Sequence, residues 1–354
     1  MNKNLKMYTA TSEISVVEAM QKIDKGAKGI LFVIDEKERM IGCVTDGDIR
    51  RWLIKSADLT APISKVMFRA PKYVFVADDI DVEAYMKKYV ITALPVLNTQ
   101  REIVDILFLN SENTRKEETE KEFMQNIPVV IMAGGKGTRL YPYTRILPKP
   151  LIPIEGIPII ERIMNRFVEY GTQLFYLTVN YKKGMIKSYF DELNPDYQIS
   201  YVEENRPLGT GGSLRLIKDN FEQSIFVTNC DTLIDADYVD IYNRHLESGN
   251  AITIVSSLRN QVIPYGVLQI GNQGIVYGIE EKPNIPYFIN TGMYIIKPEL
   301  IDLIPKDTLY HMTNLTQDAM KHGMKVGIYP ISEEAFLDMG ELEEMKKMEE
   351  KLRV

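Results

Sequence analysis

Apolar residues fall in short runs separated by polar turns. Gly29-Ile-Leu-Phe-Val-Ile-Asp and Arg39-Met-Ile-Gly-Cys-Val-Thr form one such pair. Ala93-Leu-Pro-Val-Leu-Asn and Glu102-Ile-Val-Asp-Ile-Leu-Phe-Leu repeat it, with Leu31 matching Leu94 and Ile41 matching Ile103 after one deletion. Each pair predicts a β-hairpin. A helix-like segment precedes each hairpin. Ser15 and Glu18 have capping-box spacing in the first, and Asp81 to Tyr89 matches it loosely. From Ile127 onward, apolar strands alternate with helical patterns, which predicts an open, mostly parallel sheet. Ile127 to Met132, Gln173 to Asn180 and Gln198 to Glu203 read as buried strands, Ile159 to Tyr170 as an amphipathic helix, and Glu341 to Val354 as a charged terminal helix. Between the halves, Ser111 to Gln125 is dense in charge and predicts an exposed linker or a short solvated helix. The expected organisation is therefore a repeat pair over 1–120, a linker at 121–126 and a second domain over 127–354.

A chain of 354 residues with ordinary apolar and charged fractions suits two or three soluble domains. No apolar run reaches the roughly 20 residues of a membrane span. The N-terminus has no apolar secretory core, so a cytoplasmic protein without membrane contact is expected. A net charge of −7 argues against nucleic acid as a partner, and any anionic ligand must meet locally gathered cations. Cys43 and Cys230 lie in apolar runs and read as small buried residues. His245, His311 and His322 show no zinc-ligand spacing.

The chemistry gathers after the first strand of the second domain. Ala133-Gly134-Gly135-Lys136-Gly137-Thr138-Arg139 follows it directly. Glycines there allow close backbone approach and leave N–H groups for an anion, and Arg139 adds a planar cation. Pro148-Lys149-Pro150 holds a second cation between residues of fixed φ. The spacing matches neither Gly-x-x-x-x-Gly-Lys-Ser/Thr nor Gly-x-Gly-x-x-Gly. A second glycine-rich stretch, Leu208-Gly209-Thr210-Gly211-Gly212, is expected to start a helix with unpaired N–H groups. Ser224 to Asp231 carries an aspartate out of the carboxyl end of a strand, the ligand edge of open α/β sheets.

Gly-Gly-x-Gly-Thr-Arg-Leu followed by Pro-Lys-Pro resembles the sugar-1-phosphate nucleotidyltransferase family, and the likeness continues nearly to the C-terminus. The resemblance implies a Rossmann-like α/β domain with a mixed, mostly parallel sheet. It assigns Ala133 to Thr138 and Leu208 to Gly211 to nucleotide binding, and Arg139, Lys149, Asp231 and Lys282 to catalysis. Gly266, Glu281, Asn290 and Thr291 would meet the sugar. Asp231 and Asp338 would hold Mg²⁺, although Phe336 and Met339-Gly340-Glu341 depart from the family's usual surroundings of the second aspartate. A nucleoside triphosphate and a sugar 1-phosphate would be the substrates, and no Ser/His/Asp or Cys/His set competes with that reading.

The N-terminal repeats resemble a tandem pair of cystathionine-β-synthase-type (CBS) domains. Such pairs often bind adenine nucleotides, and Thr45 and Asp48 stand where a ribose contact would be; the alternatives are a plain helix cap and a ligand-free dimerisation module. A homodimer or higher oligomer is expected. A CBS pair ahead of a short nucleotidyltransferase resembles the guanylyltransferases of bacterial legionaminic acid synthesis. That likeness implies GTP and glucosamine 1-phosphate. Mannose-1-phosphate guanylyl transfer, uridylyl or thymidylyl transfer, and a nucleotide-binding regulator with an inactive transferase domain are the alternatives.

Overall fold

The computed structural model describes residues 5–26, 28–78, 80–89, 91–108 and 122–353. The chain divides into two compact units. One comprises residues 1–113 with 258–288, and the other 114–257 with 289–354.

In the first unit, β1 (Thr9–Thr11), α1 (Val16–Gly26), β2 (Ile30–Ile34), β3 (Met40–Thr45) and α2 (Asp46–Ser56) form one repeat. β1 runs parallel to β2, and β2 antiparallel to β3. The second repeat has β4 (Val74–Phe75), α3 (Val82–Tyr89), β5 (Ala93–Leu97) and β6 (Ile103–Phe108). Its strands pair in the same parallel-then-antiparallel order. The repeat seen in the apolar pattern is thus a repeat of topology. Ser15 and Glu18 make the expected reciprocal cap, each side chain bonded to the other's backbone N–H.

In the second unit, β7 (Val129–Met132), the short pair β8 (Pro153–Ile154) and β9 (Ile157–Pro158), α4 (Ile159–Glu169), β10 (Leu174–Val179), α5 (Lys183–Leu193), β11 (Gln198–Glu203), β12 (Ile225–Asn229) and β13 (Thr232–Ile234) follow in turn. Then come α6 (Tyr238–Ser248) and β14 (Ile252–Val262). The chain next enters the first unit through β15 (Val267–Ile270) and β16 (Val276–Glu280). It returns along β17 (Asn284–Ile296) to α7 (Met312–Lys321), β18 (Val326–Ile331), β19 (Phe336–Asp338) and α8 (Leu342–Leu352).

Seven strands form the central sheet in the order β11-β10-β7-β12-β17-β14-β18. β11, β10, β7 and β12 are parallel, as is β14 with β18, and β17 runs antiparallel to β12. The sheet is mixed and mostly parallel, as the apolar runs predict. α4 buries Ile159, Ile160, Ile163, Met164 and Phe167 on one stripe. Phe167 lies 4.4 to 6.4 Å, ring to ring, from Phe175, Phe226 and Tyr238. Edge and tilted contacts of this kind add to the burial of large rings.

One expectation needs revision. Most of the charged stretch, 111–121, lies outside the described residues. Its end is no solvated linker, because Met124 is fully buried in the core and Phe123 packs edge-on to Tyr242 at 5.7 Å. The apolar pair Phe123-Met124 anchors a segment whose average composition is polar. Within the expected span of the second domain, 258–288 groups by its contacts with the N-terminal repeats.

His245 on α6 is almost wholly buried between Ser224 Oγ at 3.0 Å and Thr253 Oγ1 at 2.9 Å. Burial, then the charge of Lys297, pushes its pKa down from 6.5 to about 4. Between those values the unfolded chain binds a proton that the folded chain refuses. The contribution is therefore complete above pH 6.5 and is lost as pH falls toward 4. Urea unfolding from pH 7 to pH 4 should show stability falling by up to about 3 kcal/mol from this group, since one pKa unit is worth about 1.4 kcal/mol. In His245→Gln the slope over that interval should flatten; an unchanged slope would assign the acid sensitivity elsewhere.

Candidate active site

Parallel pairing brings two loops to one sheet edge. Phe226 pairs with Val129 and Asn229 with Met132. The glycine loop after β7 and Cys230-Asp231 after β12 therefore leave side by side. Gly137 has φ +63°, and a Cβ there would lie 2.8 Å from Lys149 Cβ and 2.9 Å from Thr144 Cγ2. A side chain at 137 would displace Lys149. Lys149 opens a short turn behind Pro148 and is 9% exposed. Its ammonium pairs with the carboxylate of Asp231, itself 9% exposed.

The second acid arrives through another pairing. β13 and β19 match Thr232 with Asp338, and the Met339 N–H donates to the Asp231 carbonyl at 2.9 Å. Burial first, and then the charge of Asp231, pushes Asp338 up to about 6, against the opposing pull of Lys149 and Arg139. Asp338 Oδ2 lies 2.8 Å from where a Gly340 Cβ would stand, so Gly340 gives that carboxylate room. Arg139 is mostly exposed, with Glu341 at 3.9 Å.

A cleft of about 420 Å³ opens here. Its walls unite nine of the predicted residues: Gly134, Gly135, Gly137, Thr138, Arg139, Lys149, Gly209, Thr210 and Asp231. Ala133 is fully buried at the strand end, where its N–H donates to the Thr178 carbonyl. Lys136 is exposed and does not line the cleft.

The second glycine loop corrects the expectation of free N–H groups. Gly211 and Gly212 N–H both donate to the Tyr310 carbonyl at 2.9 Å, and Thr210 N–H donates to His311 Nδ1 at 3.3 Å. Leu208 is buried, donating its N–H to Glu204 and accepting from Tyr310 N–H. Gly209 has φ +79°, and a Cβ there would stand 2.7 Å from the Tyr310 carbonyl oxygen. The glycines admit a neighbouring segment of backbone, and the loop is held rigid by it.

Glu204, Asn229 and His311 are among the cleft residues that escaped the sequence reading. Glu204 is 6% exposed and burial raises its pKa; Oε2 accepts from Leu208 N–H, and Oε1 lies 3.0 Å from where a Gly134 Cβ would stand. The signal was an acid five residues before Gly209, hidden in a run of polar residues. Asn229 packs against Gly292, where a Cβ would stand 2.3 Å from Nδ2. His311 begins α7 and became a cleft residue only through pairing with a loop distant in sequence.

The expected sugar residues separate. Gly266, Glu281 and Lys282 belong to the first unit. There, Val267 pairs with Glu280, and Glu281 Oε2 lies 2.9 Å from where a Gly266 Cβ would stand. Lys282 follows with φ +47°. Asn290 and Thr291 lie in the second unit, with polar groups engaged by the chain itself. Asn290 Nδ2 donates to Tyr294 Oη at 2.6 Å, and its Oδ1 accepts from Gly292 N–H. Thr291 is buried and donates to the Val255 carbonyl at 2.8 Å. Thr45 and Asp48 form the reciprocal cap of α2, and Asp48 also pairs with Arg51. The capping alternative accounts for both side chains.

Among the described residues, no group of three His, Cys, Asp or Glu side chains is placed to hold a metal. Asp231 and Asp338 form a two-carboxylate pair. That donor set fits Mg²⁺, which takes one or two carboxylates and completes its shell with phosphates and water. Both cysteines are buried and free, with Cys230 pushed up to about 12 by burial. No helix among the described residues is long and apolar enough to cross a membrane.

Residues 1–55 match the CBS domain family. The UTP–glucose-1-phosphate uridylyltransferase of Synechocystis is 34% identical over 52% of this chain and 52% of its own length. Mannose-1-phosphate guanyltransferase 2 of Candida glabrata is 33% identical over 49% of this chain and 51% of its own. The bifunctional protein GlmU of Methanococcus aeolicus is 33% identical over 49% and 41%. The chain thus spans about half the length, or less, of these curated relatives. Among solved structures, HddC from Yersinia pseudotuberculosis superposes with a TM-score of 0.52 at 29% identity, covering 64% of this chain and 99% of that one. HddC has also been solved in complex with GMP-PN. The family described as nucleotidyl transferase matches residues 128–353, which carry the glycine loop, Lys149 and both aspartates, and the chain belongs to that family.

Proposed function

We propose that the chain joins a nucleoside triphosphate to a sugar 1-phosphate and releases pyrophosphate. The observation that carries this reading is the buried Lys149 at the sheet edge, paired with Asp231 beside Asp338 and flanked by the glycine loop. A sugar phosphate oxygen forms a bond to the α-phosphorus, and the bond from that phosphorus to the bridging oxygen of pyrophosphate breaks. The attacking phosphate is already ionised at neutral pH, so no general base is required. Lys149 and Arg139 offset the repulsion between the two anions, and the glycine loop admits the triphosphate closely. Mg²⁺ held by Asp231 and Asp338 would supply further neutralisation of the phosphates. Gly266, Glu281 and Lys282 serve the sugar 1-phosphate, Lys282 through its charge.

GTP is the proposed nucleotide. Guanine presents two adjacent donors, N1–H and the 2-amino group, which suit a carboxylate such as Glu204 in the cleft wall. Uracil and thymine present one N–H between two carbonyl oxygens, which a carboxylate repels. Glucosamine 1-phosphate, giving GDP-glucosamine for legionaminic acid, is the proposed sugar on the CBS-plus-transferase architecture. Mannose 1-phosphate is the second reading, favoured by the C. glabrata relative.

Three measurements test this. Incubating the protein with each nucleoside triphosphate against a panel of sugar phosphates should release pyrophosphate fastest with GTP and glucosamine 1-phosphate. Mannose 1-phosphate outpacing it would select the second reading. Asp231→Asn should lower turnover at least about a hundredfold, comparable to losing one strong electrostatic contact in a reaction site, measured below a melting transition that itself falls because buried Lys149 loses its partner. Near-normal turnover would remove Asp231 from the chemistry. Glu204→Gln should lower kcat/KM for GTP about tenfold or more and narrow its advantage over UTP; an unaltered ratio would clear Glu204 of base selection.

A further inference from the structure

Residues 258–288 leave the central sheet's unit and fold with the N-terminal repeats. The two points at which they do so are apolar. Leu258 is 3% exposed and is a member of the core cluster formed by Val16, Val17, Leu31, Val44 and Ile49 of the first repeat. Phe288, at the other end, packs against the same cluster. Burying a Leu side chain contributes about 1.5–3 kcal/mol. A two-stranded hairpin such as β15–β16 is marginal alone and needs a core beneath it. Between the two anchors lie Gly266, Glu281 and Lys282. Ile263 N–H bonds the Pro283 carbonyl at 3.0 Å, closing the base of the arm between them.

We infer that the first CBS repeat carries the sugar-phosphate arm as part of its own folded body, with Leu258 and Phe288 as positioning residues. A change in the repeats is therefore felt as altered handling of sugar 1-phosphate, while the nucleotide cleft, built entirely from the other unit, is left as it was. The consequence for the substrate rests on the proposed role of Glu281 and Lys282; the shared folded body does not.

The test has two arms on the full-length chain. In hydrogen exchange, elements of one cooperative body open together. Leu258→Ala should accelerate exchange of β2, β3 and the 267–280 hairpin together and leave β7 and β12 unchanged. Acceleration of the hairpin alone, with β2 and β3 protected as before, would overturn the inference. Phe288→Leu is a milder change that reads the same coupling should Leu258→Ala fail to fold. In initial-rate kinetics, both variants should raise KM for sugar 1-phosphate about fivefold or more and move KM for the triphosphate less than twofold. Equal movement of both constants would overturn the selective consequence. Coupled exchange with no pyrophosphate release from the unaltered protein would instead remove the proposed reaction and leave the shared body standing.

Discussion

A lysine ammonium buried in a folded chain has to be met by a negative group. Lys149 is nearly sealed from water, and removing one member of such a pair typically costs 3–5 kcal/mol because the other is stranded. Much of the second unit's local geometry answers this demand. Gly137 makes room for the lysine's stem, β12 aims Asp231 at its tip, and the β13–β19 pairing brings Asp338 alongside. The result is one cation against two acids, the second of which burial and its neighbour hold near pH 6. An arrangement with excess negative charge favours additional cations. A lysine already paired also gives an incoming phosphate a definite competitor, the carboxylate of Asp231.

This constraint explains what could be read from the sequence. The apolar runs of β7 and β12 fix two buried parallel strands, and a residue following such a strand stands at the ligand edge whatever its distance along the chain. The glycine loop and Asp231 were legible on those grounds, and Lys149 as a cation held between two prolines. Asp338 was legible only through a resemblance, because its place depends on the pairing of two three-residue strands that carry little periodic signal. Glu204 and His311 were not read. Glu204 follows β11 directly and the same strand-end rule reaches it, whereas His311 enters the cleft because the 208–212 loop is bonded to residues 310–311, a contact across a hundred residues. The same contact overturned the expectation of free N–H groups: the glycines admit the close approach of backbone, while Gly209 also lines the cleft. Local pattern cannot distinguish the two, since both require the absence of a side chain.

The charged stretch before the second unit teaches the complementary lesson. Average composition marked it as solvated, yet at its described end Phe123 and Met124 pack on the core. Two apolar anchors have a parallel effect at Leu258 and Phe288, where a segment expected in one domain joins the other. In neither case does polarity averaged over a window decide the outcome. What decides it is whether an apolar side chain finds a cavity of its own size, and a few such side chains can reassign a whole segment.

That grouping bears on how the proposed reaction can be controlled. The cleft lies in the second unit, and Gly266, Glu281 and Lys282, proposed above for the sugar 1-phosphate, lie in the first. On that proposal, a change that opens the first unit reaches Gly266, Glu281 and Lys282 directly, because stability and motion are shared within a packed body. Asn290 and Thr291 lie where β17 re-enters the second unit, and their bonds to Tyr294, Gly292 and Val255 fix the strand's backbone at the point where it joins the sheet.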